Sequence, residues 1–137
     1  MENLMGVGYQ LTLSCIKDIA QNVDGVYVDY DDNRFAIIIP LQDDKRIQKV
    51  FGVFDENFEK VEFHSMVCDK EQADLVLLLN NQKSFNHAKF IIDADKVMIS
   101  ASVMVDYATP DILENVIMEV AKNADIWEKK FTEQDIY

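Results

Sequence analysis

Few side chains in this sequence stand at spacings that could do chemistry, and the first to consider are Asp29-x-Asp31-x-Asn33. Oxygen ligands at alternate positions open a calcium loop, where carboxylates and carbonyls hold a hard cation. Arg34, however, stands where such a loop needs glycine, and Pro40 where it needs a bidentate glutamate. The stretch reads as a solvated hairpin turn, and Asp93-Ala94-Asp95 reads the same way. His64 and Cys68 are the one close pair of soft-metal ligands, but zinc requires three or four. His87 could join them only through a tertiary contact. A Cys-His nucleophile pair lacks both the spacing and a third residue to orient it. The four glycines form neither a GxGxxG nor a Walker pattern, which excludes nucleotide binding through those motifs. No catalytic, cofactor-binding or metal residue is assigned, and the expectation is a protein that is not an enzyme.

The strand-like run Lys96 to Asp106 carries a different kind of candidate. Val97, Ile99, Ala101, Val103 and Val105 share one face, while Met98, Ser100, Ser102 and Met104 share the other. Flexible methionines among small hydroxyl residues make a surface that adapts to varied apolar partners. The competing reading is ordinary packing beneath a loop or a sister subunit. Leu75 to Leu79 is apolar almost all round a predicted helix, so Leu75 and Leu78 are the second candidate for contact with a partner.

Elements must position these residues. Leu11, Cys15, Ile16, Ile19, Ala20 and Val23 recur at helical spacing, after a Met1–Gly8 stretch expected to fray. Tyr9, Leu11 and Leu13 also alternate, which leaves a strand open there. Two hairpins follow, the first turning at Asp31-Asp32-Asn33 and expected to end at Pro40, the second turning at Asp55-Glu56-Asn57. Phe35 to Ile39 is apolar on both faces and belongs inside the sheet. Asp69 and Gln72 have the spacing of a capping box for the next helix. A third hairpin turns at Asp93-Ala94-Asp95, and Thr109-Pro110-Asp111 starts a last helix with stripe Leu113, Val116, Ile117, Val120, Ala124, Trp127 and Phe131. Glu133–Tyr137 reads as a frayed polar tail.

A chain of 137 residues suits one domain, residues 1–137, that needs no disulfide or metal. Its 13 basic and 25 acidic residues give a net charge of −12, which repels a phosphate backbone and argues against nucleic acid. Cys15 and Cys68 are far apart, as in reduced cytoplasmic proteins. Neither a signal peptide nor a membrane span is indicated, so the expected location is the cytoplasm, away from membranes.

The order helix, four strands, helix, two strands, helix in an acidic domain resembles the type III secretion chaperone-like fold, an α+β class with an antiparallel twisted sheet packed by helices. Within it, Leu77-Leu78-Leu79-Asn80, Ala88-Lys89-Phe90-Ile91-Ile92-Asp93, Val97 to Val105 and Ala124-Asp125 resemble the C-terminal half of bacterial YbjN-like proteins, sometimes labelled sensory transduction regulators. The Tyr107-Ala108-Thr109 connection departs from that pattern in being shorter and poorer in glycine. The resemblance implies a homodimeric, non-enzymatic module and transfers no catalytic residue.

The leading expectation is a chaperone-like or regulatory adaptor that holds a segment of a protein or peptide partner. An alternative from another class is a small-molecule sensor or enzyme with a pocket between sheet and final helix, using Tyr107, Trp127 or His87 as polar handles. A third, an acidic mimic plugging a basic site on a nucleic-acid enzyme, rests on net charge alone.

Overall fold

The computed structural model describes residues 3–41 and 46–136, without the side chains of 3–7 and 133–136. Its elements are α1 (Asn3–Asn22), β1 (Val26–Asp29), β2 (Arg34–Leu41), β3 (Arg46–Asp55), β4 (Lys60–Asp69), α2 (Leu75–Asn81), β5 (Lys89–Asp93), β6 (Lys96–Met104) and α3 (Pro110–Ile136). The strands form one antiparallel sheet in the order β1-β2-β3-β4-β6-β5. This is the expected α+β order of nine elements.

Alternation along the strands gives the sheet two unlike faces. Phe35, Ile37, Ile39, Val50, Phe54, Val61, Phe63, Val97, Ile99, Ala101 and Val103 point inward and are buried. Above them lies α3, whose whole predicted stripe from Leu113 to Phe131 is buried, with α1 beside it contributing Ile16, Ile19 and Ala20. Gly52 faces Phe35 across the ladder, and a Cβ there would lie 2.0 Å from the Phe35 ring. The missing side chain is what lets the phenyl ring lie flat on β3.

Several boundaries differ from the sequence expectation. The first helix starts at Asn3, so Asn3–Gly8 is helical rather than frayed. At Gly8 an added Cβ would come within 3.1 Å of Val105 Cγ1, so glycine permits close packing that outweighs its poor helix propensity. Met1, Glu2 and Tyr137 of the expected frayed ends lie outside the described residues, as do residues 42–45 of the loop after Pro40. Helix α3 runs on to Ile136, through most of the expected tail. Pro40 does not end β2: it pairs with Ile47. Its nitrogen takes the ladder side that faces β1, and β1 begins only at Val26, opposite Ile38, so no donor is lost. The Asp69–Gln72 box closes a 3-10 turn, Lys70–Gln72, with Asp69 N donating to Gln72 Oε1 at 2.9 Å. Helix α2 is capped instead by Asp74, whose carboxylate accepts from Leu77 N at 3.1 Å. Strand β6 stops at Met104, where another 3-10 turn, Val105–Tyr107, begins.

Candidate partner-binding surface

Both long helices pack on the same side of the sheet, so its other side is bare among the described residues. The register lays out that open face in rows. Val28, Ala36, Phe51, His64, Ser100 and Lys89 form one row across all six strands. Arg34, Val53, Glu62 and Ser102 form the next, then Lys60 with Met104, while Met66, Met98 and Ile91 lie on the other flank. Met98 is half-buried, Ser102 exposed, and Met104 and Met66 are 46% and 37% exposed. Ser100 lies on this face but is buried between its ladder neighbours His64 and Lys89.

Ring stacking orders the middle of the surface. Tyr30 stacks on Phe51 at 6.2 Å and Phe51 on His64 at 5.4 Å, while Lys49 Nζ lies 5.5 Å from the centre of the Phe51 ring. Burial holds the His64 imidazole below its ordinary pKa, against the weaker upward pull of Glu62 and Asp93. Charge on this face is nearly balanced: Arg34, Lys49, Lys60, Lys89 and Lys96 share it with Asp55, Glu62, Asp69 and Asp93. Most of the acid among the described residues therefore lies off this face, on turns and helix exteriors.

Beneath the face, β3 and β4 pair from Asp55–Lys60 at the turn to Phe51–His64 and then part, towards the bulge of β4 between Met66 and Cys68. Side chains stitch the seam: Gln48 Nε2 donates to Ser65 Oγ at 2.8 Å and to Met66 O at 3.1 Å, and Ser65 Oγ donates to Lys49 O at 2.6 Å. Gln48 Oε1 is left buried without a partner among the described residues.

The second candidate patch splits. Leu75, Val76 and Leu79 are exposed on α2, whereas Leu78 is 3% exposed and belongs to the core. In a helix of two turns, position 78 turns inward while 75, 76 and 79 face out, so Leu78 cannot touch a partner in this arrangement. The linking segment to β5 is tied to α3 by Glu119, whose carboxylate accepts from the backbone of Asn86, His87 and Ala88 at 2.6, 2.8 and 3.0 Å.

The handles proposed for an enclosed pocket do not converge. Trp127 packs between Phe90 and Phe131 in the core, Tyr107 is 70% exposed near the start of α3, and His87 lies on the exposed loop held by Glu119. His64 is on the open face and Cys68 is buried among inward-facing residues, so they do not share a metal. The Asp31 carboxylate is committed to its own turn, accepting from Asn33 N, Arg34 N and Arg34 Nε. No group of three or more metal-ligating side chains occurs among the described residues. No helix among them is long and apolar enough to cross a membrane.

The six-stranded antiparallel sheet and its helices make a type III secretion chaperone-like fold. A chain from the structure of the HopA1-SchA chaperone-effector complex shares it, with a TM-score of 0.66 and 10% identity over 93% of this chain and 98% of that one. A chain from the structure of the ExsC-ExsE complex has a TM-score of 0.49 and 12% identity, covering 78% of this chain and 75% of its own length. No family model matches the sequence, the YbjN-like family included, and no curated protein matches it.

Proposed function

We propose that this chain is a non-enzymatic, acidic, cytoplasmic module, one domain that works as a homodimer and holds a segment of a partner protein in a chaperone-like or regulatory role. The observation that carries the reading is the open sheet face, apolar at Phe51, Met66, Met98 and Met104 and nearly neutral in a chain of net charge −12. Removing such a face from water is favourable in proportion to its apolar area. Its balanced charges would add no large repulsion between two acidic copies or towards a partner. Met98 and Met104, with Ser100 and Ser102 leaving space between them, would accept alternate apolar side chains. Leu75, with Val76 and Leu79, offers a second apolar patch on α2. The shared fold with a chain of a chaperone-effector complex supports the same reading. No nucleic acid or membrane is expected among the partners.

The test is capture of a polypeptide from the source lysate by tagged wild type and by the Met98→Asp/Met104→Asp variant. The wild type should retain one specific polypeptide, and the variant should lose it while its melting temperature changes little, because both side chains reach solvent. Equal retention by both would remove the binding site from this face.

A further inference from the structure

On the helix-covered side of the sheet, three elements leave a cavity of about 780 Å³ between them. They are the end of α1, the joined ends of β2 and β3 at Leu41 and Arg46, and one side of α3 from Met118 to Lys129. A space of this size suits a small molecule. Val23, Leu41 and Met118 are half-buried in its wall, while Ile126 is 56% exposed. An apolar body placed there would take Ile126 out of water. None of Tyr107, Trp127 and His87 lines this cavity.

The charged lining inverts the balance of the chain. Arg46, Lys122 and Lys129 stand against Asp24 and Asp125, in a protein of 13 basic and 25 acidic residues. Arg46 and Asp125 neutralise each other, with Arg46 Nε donating to Asp125 Oδ1 at 2.6 Å and Nη2 lying 3.5 Å from Glu128. Lys129 is likewise engaged. One free charge of each sign is left: among the described residues, no hydrogen bond or ion pair reaches the Lys122 ammonium or the Asp24 carboxylate.

The turn that carries Asp24 is fixed. Asp24 is left-handed, with φ 60°, its amide donates to Gln21 O at 3.1 Å, and the Gly25 amide donates to Ala20 O at 2.8 Å. Gly25 presses so closely on β2 that a Cβ would stand 2.6 Å from Ile38 O. The last carbonyls of α1 put the negative end of the helix dipole at the same place, which favours a cation beside Asp24.

We propose that this cavity binds a small zwitterion with an apolar body, a free amino acid or a dipeptide with unblocked ends. Its ammonium meets Asp24, its carboxylate meets Lys122, and its side chains cover Leu41, Met118 and Ile126. A plain carboxylate would leave Asp24 against an apolar body, and a plain amine would leave Lys122 so; a zwitterion pairs both. The site is separate from the open face and does not depend on the partner held there.

The probes are leucine, leucyl-leucine, and the N-acetylated and C-amidated forms of the dipeptide, titrated into the isotope-labelled full chain and followed by amide NMR. Asp24, Leu41, Lys122 and Ile126 amides should shift with leucine or leucyl-leucine at millimolar concentration, and the stronger of the two identifies an amino acid or a peptide ligand. Blocking either end of the dipeptide should weaken binding about tenfold. Asp24→Asn, which keeps a residue tolerant of the left-handed turn, should erase the preference for a free amine and retain that for a free carboxylate. Lys122→Gln, at an exposed helical position, should do the reverse. Blocked forms that bind the wild type as tightly as the free dipeptide would overturn the inference, a comparison that holds even if a variant misfolds. Absence of shifts at these amides with every probe, or end preferences unchanged in both variants, would overturn it too.

Discussion

His64 is the residue on the open face whose charge changes near neutral pH, and its environment fixes the sign of the effect. Burial holds its folded-state pKa below the ordinary 6.5, so protonation costs more in the folded protein than in the unfolded one. The stability contributed by the neutral ring is complete above the ordinary value and declines as pH falls below it. Melting temperature should therefore drop more steeply from about pH 7 to about pH 5 in wild type than in His64→Phe, which keeps a ring against Phe51 but cannot titrate. Parallel curves would mean that His64 stays solvated. At this scale the sequence was partly legible: alternation alone put Met98, Ser100, Ser102 and Met104 on one face. The Tyr30–Phe51–His64 row was not, because it depends on a register spanning three strands and no local pattern encodes it. Nor was the burial of Leu78 and Ser100, which neighbours far along the chain decide.

Elements were more legible than their ends. Helix α3, with a hydroxyl before Pro110 and an unbroken stripe, stands where its sequence puts it because local and tertiary preferences agree. Helix α1 begins earlier than its apolar pattern because packing against the turn after β6 overrides the cost of Gly6 and Gly8. Asp69 carries a cap signature but meets Lys96 across the sheet and caps a single turn, leaving Asp74 to start α2. The close fit of β2 on β3 gives the clearest element-scale prediction. Gly52→Ala would place a methyl group inside the Phe35 ring, and it should destabilise the protein by about 1–3 kcal/mol, read as a lower denaturation midpoint with an unchanged slope. A neutral substitution would show that Phe35 can leave its site above β3.

For the whole molecule, function follows from how charge and apolar surface are divided. One side of the sheet is the core; the other is apolar at its centre and balanced in charge, in a protein otherwise strongly acidic. Composition showed the acidity but not its distribution, since the sequence does not say which loops and faces are neighbours. A partner seated on the open face would shield its methionines, which oxidation footprinting reads out. Limited peroxide treatment of the protein alone, and of the protein re-isolated with its captured polypeptide, would be compared at Met66, Met98, Met104 and Met118. Met66, Met98 and Met104 should oxidise more slowly in the complex, while Met118, on α3 and away from the open face, should oxidise at the same rate in both. Equal oxidation of Met66, Met98 and Met104 in the two samples would contradict the claim that this face holds the partner.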